Sequence, residues 1–348
     1  MLKNVGIVGF GSYVPQNRIT VAEIAKVWGK NAQDLERSLG VREKAVVGPD
    51  EDAVTMAVEA AKNALVTGKI EASKIEAIYV GSESHPYAVN PSATIIGEAL
   101  GVGHNYLAAD LEFACKAATS GLENLAGLLE AGLIKHGLVI GSDSSQAKPH
   151  DILEYTAGAG AAAFVLGRNK ENFLVEVLDF LSYSSDTPDF WRRDGIPYPS
   201  HQGRFTGEPA YFAHVQEASQ KLLQKTQLKP KDFTSCIFHM PNGKFPVDIA
   251  KRLGFTQEQL EPSLTVKEIG NPYSASALLG LCRVLETAQP NRLLFLTSYG
   301  SGAGADSFIL KTTKLLPLRR KLAPGLSSFL QKKKDITYTE YLKCTRKI

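Results

Sequence analysis

Cys115 is the residue in this sequence best placed to act as a nucleophile. The extended stretch Asp110-Leu-Glu-Phe-Ala leads into it, and small residues followed by apolar residues at helical spacing (Leu122, Leu125, Leu128, Leu129) come directly after. This pattern predicts that Cys115 sits in the first turn of a helix, where unpaired backbone N–H groups and the positive end of the dipole favour a thiolate. Free cysteines are also among the most buried residue types, so a structural thiol is the competing reading. The other cysteines (Cys236, Cys282, Cys344) form no CxxC pair and no zinc-spaced Cys/His cluster, which argues against a bound metal and for a reducing compartment.

The elements that must position Cys115 alternate between strand and helix. Strands are expected at Val5–Val8, Ile75–Ser82, Tyr106–Glu112 and Gly137–Gly141, and helices at Thr20–Gly29, Ala32–Leu39, from the Asp50-Glu-Asp cap through Leu65, at Ser92–Leu100 and at Cys115–Ala131. Such alternation means α/β layers. Gly9-x-Gly11 is an incomplete nucleotide fingerprint and reads as a strand-ending turn.

The second half repeats the first. At a constant offset of 156, Glu83 is answered by His239, Cys115 by Asn271, and the strand Leu138-Val-Ile-Gly-Ser-Asp by Leu294-Phe-Leu-Thr-Ser-Tyr. Ala157-Gly-Ala-Gly is answered by Ser301-Gly-Ala-Gly at a smaller offset, which implies an insertion near Gln146–Tyr155 in the first half. Two α/β halves, 1–170 and 171–348, are therefore expected to pack about a pseudo-two-fold axis.

Basic residues exceed acidic ones by only three, 39 against 36. That balance gives no reason to expect nucleic acid. The chain lacks an apolar run of membrane-spanning length and its start lacks a signal-peptide core, so the expected location is cytoplasmic, without membrane. The segment 182–210, rich in Ser, Pro, Gly and aromatic residues, is expected to be a lid or a substrate wall. The tail beyond Lys311, with Arg319-Arg-Lys and Lys332-Lys-Lys, is expected to be a solvated basic surface.

A two-fold axis would bring the strand ends at Glu83 and His239 and the helix starts at Cys115 and Asn271 to one centre. Thiol, carboxylate, imidazole and amide together suit thioester chemistry: nucleophile, base, acid and carbonyl-polarising donor. Taken singly, Glu83 reads as an exposed strand-end carboxylate and His239 as a core histidine. Their joint register with Cys115 favours the active site.

At this point the sequence resembles the thiolase superfamily, and within it 3-hydroxy-3-methylglutaryl-CoA synthase of the archaeal type, over nearly its full length. The resemblance rests on Gly81-Ser-Glu-Ser-His-Pro-Tyr87, Leu111-Glu-Phe-Ala-Cys-Lys-Ala117, Gly203-Arg-Phe-Thr-Gly207, His239-Met-Pro-Asn-Gly-Lys-Phe-Pro246, Gly270-Asn-Pro-Tyr-Ser-Ala275 and Ser298-Tyr-Gly-Ser-Gly-Ala-Gly304, in that order. It implies a duplicated five-layer αβαβα fold and an acyltransferase that condenses acetyl-CoA with acetoacetyl-CoA in the mevalonate route to isoprenoids. CoA thioesters would be substrates, and no cofactor is implied. Cys115 would carry the acetyl group, Glu83 would deprotonate its methyl, and His239 with Asn271 would hold and protonate the ketone oxygen of acetoacetyl-CoA.

The resemblance also implies CoA contacts. Arg204 and Lys244 resemble phosphate partners, and Thr156, Thr206 and Ser301 resemble acyl contacts, with Asn31 and Ala32 near the pantetheine. Where the archaeal pattern often has an arginine four residues past the lysine, this chain has Asp248, followed by Lys251 and Arg252. The implied partners are a second copy of the chain, an acetoacetyl-CoA thiolase and a small OB-fold bridging protein. Two other readings stand beside this one. A ketoacyl-carrier-protein synthase III would share Cys, His and Asn but generate its carbanion by decarboxylation, without need of Glu83. A non-catalytic subunit organising a thiolase complex would need none of the four.

Overall fold

The computed structural model describes residues 2–348, with Arg204 described in its backbone only. The apolar runs Gly6–Tyr13 (β1), Ala77–Gly81 (β2), Leu107–Leu111 (β3), His136–Ser144 (β4) and Ala159–Gly167 (β5) pair in the order β3-β2-β4-β5-β1. Val175–Ser184 (β6), Ser235–Phe238 (β7), Leu293–Gly300 (β8) and Gly304–Thr312 (β9) pair in the order β7-β8-β9-β6. The two sets meet where β1 pairs briefly with β6, through Gly6–Glu176 and Ile7–Val175.

Four of the five strands of the first half have counterparts in the second. β2 runs parallel to β4 as β7 does to β8, and β4 runs antiparallel to β5 as β8 does to β9. The outer strand β3 has no counterpart, because the equivalent residues turn into the short helix Val266–Ile269.

Helices cover both faces of each sheet, which is why β4, β5, β8 and β9 read as continuous apolar runs rather than as alternating patterns. Ala53–Gly68 (α1) and Ser92–Leu100 lie outside the first sheet, and Ala213–Thr226 (α3) and Phe245–Leu253 lie outside the second. Between the sheets lie Ala117–Glu130 (α2) and Ser276–Leu285 (α4). Their leucines share one core: Leu122, Leu125 and Leu129 of α2 with Leu278, Leu281 and Leu285 of α4. Two further cores fill the outer interfaces. The result is the five-layer αβαβα arrangement with pseudo-two-fold-related halves. Residues equivalent by the offset of 156 touch at the axis, where the Ala118 N–H donates to Ser274 Oγ at 3.2 Å.

Two expectations are corrected. Gly9 and Gly11 do not end β1 but lie within it. A Cβ at Gly9 would stand 2.2 Å from the Ala64 carbonyl oxygen, and one at Gly11 would stand 2.3 Å from that of Ala60, so these glycines let α1 lie directly on the strand. The tail is not simply a solvated basic surface. Lys334–Asp335 extends a small sheet through Asn17–Thr20 and Glu43–Val46, and Tyr338–Cys344 forms a helix that buries Tyr338 and Tyr341. Those rings close over a buried polar cluster. Glu154 accepts hydrogen bonds from Tyr338 Oη and Trp28 Nε1, both at 2.9 Å, while Lys44 Nζ donates to the Glu154 carbonyl and to Tyr341 Oη.

Candidate active site

Cys115 stands just before α2 rather than inside its first turn, with Lys116 as the capping residue. Ala114 holds a φ of 46°, and its counterpart Gly270, before Asn271, holds 72°. For alanine such a conformation costs on the order of 1 kcal/mol, and it turns the chain sharply enough to present the thiol at the sheet edge. Lys116 anchors this turn. It is 1 % exposed, its Nζ lies 2.7 Å from Asp306 Oδ1, and its stem packs where a Cβ on Gly300 would lie. The Cys115 turn and the Gly300–Ala303 turn are thereby fixed to each other.

The expected thiolate is not what the surroundings favour. Burial, the Glu83 carboxylate and the hydrogen bond to it all push the Cys115 thiol well up, and the Ser301 backbone N–H only partly opposes them. Cys115 is therefore a thiol, and its Sγ donates to Glu83 Oε1 at 2.8 Å.

Glu83 emerges from β2 into a hydrogen-bonded cradle built on Asp143, at the end of β4. Asp143 Oδ1 accepts from Ser82 Oγ (2.8 Å), the Glu83 N–H (2.8 Å) and Ser84 Oγ (2.6 Å), while Oδ2 accepts from the Ser274 N–H across the two-fold (2.8 Å). Burial, and next the Asp143 charge, raise the Glu83 carboxyl to about 8, against the opposing pull of Cys115 and Arg192. A carboxyl so placed can exchange protons near neutral pH. Asp143 was missed as a site residue: it lies at the end of a strand recognised only as a repeat landmark, and its partners come together only in the tertiary structure.

His239 follows β7 and is 1 % exposed. Burial lowers its imidazole to about 3, so the ring is neutral. Its Nδ1 and Asn271 Oδ1 are both buried without a hydrogen-bonding partner among the described residues. Buried polar groups normally find partners, and these two border a cavity where a ligand's oxygen and N–H could serve. The cavity, of about 560 Å³, is lined by Cys115, His239 and Asn271 with an apolar wall that includes Leu39, Phe190, Tyr211, Phe212, Phe245 and Tyr299. Thr156, Thr206 and Ser301 border it as well.

Lys244, Asn31 and Ala32 do not line the cavity. Lys244 is exposed at the start of the helix that supplies Phe245, and Asn31 caps the helix Ala32–Leu39 by accepting from the Asp34 N–H at 3.1 Å. The Arg204 side chain lies outside the described residues; its backbone belongs to the turn Gly203–Thr206 beside the cavity. Arg252 is engaged at the rim, where Nη1 donates to Glu208 Oε2 at 2.9 Å and the guanidinium stacks on Phe212.

The segment 182–210, expected to be a lid or a substrate wall, borders the cavity. It contains a small hairpin of Phe190–Trp191 with Ser200–His201, and it contributes Phe190, His201 and Thr206 to the cavity. The inferred insertion has the same fate. β8 and β9 are joined by a tight turn, whereas β4 and β5 are joined by residues 145–158, of which Ile152, Leu153 and Thr156 line the cavity. Among the described residues, no group of three or more His, Cys, Asp or Glu is arranged to hold a metal ion, and no helix is long and apolar enough to cross a membrane.

Comparison with known proteins gives concordant relationships. Residues 109–183 match the model for 3-oxoacyl-[acyl-carrier-protein] synthase III, and residues 223–312 match that for its C-terminal part. The chain is 54% identical over 344 residues to the hydroxymethylglutaryl-CoA synthase of Archaeoglobus fulgidus, and 50% identical over 343 residues to that of Methanothermobacter thermautotrophicus, with 99% of each chain covered in both cases. Among solved structures, an HMG-CoA synthase complexed with CoA superposes with a TM-score of 0.88 at 23% identity, covering 98% of this chain and 90% of that one. A 3-oxoacyl-[acyl-carrier-protein] synthase III from Aquifex aeolicus superposes with a TM-score of 0.80 at 21% identity, covering 88% of this chain and 99% of that one.

Proposed function

The chain belongs to the hydroxymethylglutaryl-CoA synthase family, and from that premise we propose how its residues divide the work of condensing acetyl-CoA with acetoacetyl-CoA to 3-hydroxy-3-methylglutaryl-CoA. The Cys115 thiol passes its proton to Glu83 as sulfur attacks the acetyl carbonyl, and CoA departs as its thiol with that proton. The backbone N–H groups at Cys115 and Ser301 stabilise the oxyanion. Glu83, again a carboxylate, removes a proton from the acetyl methyl, whose acidity the thioester raises. The resulting carbon nucleophile attacks the ketone of acetoacetyl-CoA. His239, neutral and beside Asn271, hydrogen-bonds the ketone oxygen and passes it a proton as it becomes the tertiary alcohol, and the methyl proton held by Glu83 replaces the one His239 gives up, so both groups are restored before hydrolysis. Water then cleaves the Cys115 thioester, so the reaction is an acyl transfer in which the acyl group becomes alkyl.

The hydrogen bond from Cys115 Sγ to Glu83 Oε1 carries this reading. A decarboxylating condensing enzyme has no use for a carboxylate held against its nucleophile, and a purely structural subunit has no use for the pair. Asp143 is a positioning residue that holds Glu83 and raises its basicity. The 560 Å³ cavity would take the acyl and pantetheine parts of the substrates, with Thr156, Thr206 and Ser301 as acyl contacts. Arg204 and Lys244 near its mouth would meet the CoA phosphates, with Asn31 and Ala32 flanking the pantetheine.

We place the division between the halves at 170/171 and the enzyme in the cytoplasm. We also propose a homodimer, for which the outer strand β3 is suited, since one edge is unpaired and Leu107 is exposed there. Association with an acetoacetyl-CoA thiolase and an OB-fold bridging protein is carried by the family resemblance. The test of the reaction is incubation of the purified protein with acetyl-CoA and acetoacetyl-CoA, with product identified by mass. Formation of 3-hydroxy-3-methylglutaryl-CoA is expected, and absence of any condensation product, with or without the thiolase, sinks the reading.

A further inference from the structure

A second cavity, of about 450 Å³, lies on the other side of the catalytic pair. Glu83 and Ala114 border it, whereas Cys115 borders the first cavity; Phe190 and Ser301 border both and form the partition. The hydrogen bond from Cys115 to Glu83 therefore crosses from one compartment to the other. Arg192 roofs the second cavity, with Nη2 donating to the Glu83 carbonyl at 3.2 Å.

His85 also lines this second cavity and is held in a fixed pose. Its Nδ1 lies 2.8 Å from Ser92 Oγ and 3.2 Å from Asp110 Oδ2, its side chain is 7% exposed, and its Nε2 is buried without a partner among the described residues. Asp110 is fixed in turn by the Ser92 and Ala93 N–H groups. An imidazole oriented by a carboxylate through one nitrogen, with the other left free, is the arrangement of a proton acceptor. The steps proposed above do not use it.

The order of events gives that cavity a task. Resting on the proposed reaction, when condensation is complete the product is still bound to Cys115 as a thioester and its CoA arm fills the first cavity. Water cannot arrive by the route the substrate blocks. We propose that the second cavity is the water port of the hydrolytic step and that His85, backed by Asp110, is the relay by which the released proton leaves. The water oxygen bonds to the thioester carbon and the carbon–sulfur bond breaks. One water proton passes through Glu83 to the Cys115 sulfur, restoring the thiol. The new carboxylic acid loses the second proton through His85 to solvent. One water is consumed, one carboxylate and one proton are released, and no other reactant is needed.

The test separates this step from those before it. His85→Gln removes the relay, and Ala88→Phe narrows the port from its exposed rim, where Ala88 lies. With acetyl-CoA alone, both variants are expected to acetylate Cys115 as the wild type does, which also shows that they are folded. With both thioesters, the intact protein is expected to accumulate the mass of the uncleaved condensation product on Cys115, with steady-state turnover falling roughly a hundredfold for His85→Gln, the range over which one proton-transfer group acts. Hydroxylamine, a small nucleophile that cleaves thioesters, should release the stalled adduct. Wild-type turnover in both variants, or accumulation of acetyl-enzyme in place of the condensed adduct, overturns the proposal. If even the wild type takes no acetyl group, it is the underlying reaction that fails.

Discussion

The condensation should switch on with pH, because its base is a carboxyl held far above its ordinary range. Burial first and the Asp143 charge second raise Glu83 from 4.5 to about 8. With that value, about one hundredth of the free enzyme carries the carboxylate at pH 6, about one tenth at pH 7 and half at pH 8; acetylation removes the Cys115 hydrogen bond that lowers Glu83, so the single-turnover rate of the acetylated enzyme should rise at least roughly fifty-fold from pH 6 to 8 before it levels off. Asp143→Asn should move the midpoint to lower pH, since the charge that helps raise Glu83 is gone.

The same shift has a stability counterpart with a definite sign. Between pH 4.5 and about 8, folded Glu83 holds a proton that the unfolded chain has lost, so its contribution to stability declines as pH rises through that window. The full difference corresponds to roughly 5 kcal/mol, less to the extent that water in the second cavity solvates the carboxyl. Glu83→Gln should therefore melt higher than the wild type above pH 8, with the gap closing toward pH 5. The assay is rapid-quench condensation by pre-acetylated enzyme across pH 6–9, paired with thermal unfolding at the same pH values. A flat rate profile, or a midpoint near 4.5, would refute the base role and its electrostatic cause.

Other outcomes follow from the packing. Gly81→Ala would place a Cβ 2.2 Å from the Ala118 backbone nitrogen, driving β2 away from α2 and separating Glu83 from Cys115. Thermal unfolding should register a loss of about 1–3 kcal/mol, and acetylated enzyme should lose most of its condensation rate. Lys116→Met leaves Asp306 buried without its cation, which should cost about 3–5 kcal/mol in denaturant unfolding; the double change with Asp306→Leu should recover part of that loss. Removing residues 334–348 would expose Lys44 and Glu154, whose segment carries Leu153 and Thr156 into the first cavity. Melting temperature should fall and KM for acetoacetyl-CoA should rise.

How much of this was legible in the sequence depended on whether a signal was periodic. The helices α2 and α4 and their approach at the axis follow from a repeat that fixes Cys115 against Asn271 and Glu83 against His239, since one offset applied to four residues constrains where each must lie. Residues whose role arises from contact alone left no such trace. Asp143 gathers Ser82, the Glu83 N–H and Ser84 from one distant segment and Ser274 from another, and nothing in its local sequence announces that. Glycine between apolar residues reads as punctuation, which hid the close packing of Gly9 and Gly11 under α1. Charge runs read as solvated surface, which hid Ile336, Tyr338 and Tyr341, the buried residues that dock the tail. The thiolate expectation failed because helix-start electrostatics reach only the first turn, while burial and a carboxylate 2.8 Å away act directly on the sulfur.

The central claim is that Cys115 carries the acetyl group while Glu83 performs the carbon deprotonation, and intact-protein mass measurement on Glu83→Ala tests both at once. Burial, which raises the Cys115 thiol most, remains in Glu83→Ala, but the charge and hydrogen bond that add to it are gone along with the acceptor of the thiol proton, so acetyl transfer from acetyl-CoA should survive at a reduced rate. The account predicts a stable acetyl adduct that maps to Cys115, is absent from Cys115→Ala, and does not advance to 3-hydroxy-3-methylglutaryl-CoA when acetoacetyl-CoA is added. Condensation by Glu83→Ala at the wild-type rate, or an adduct that persists in Cys115→Ala, would contradict it.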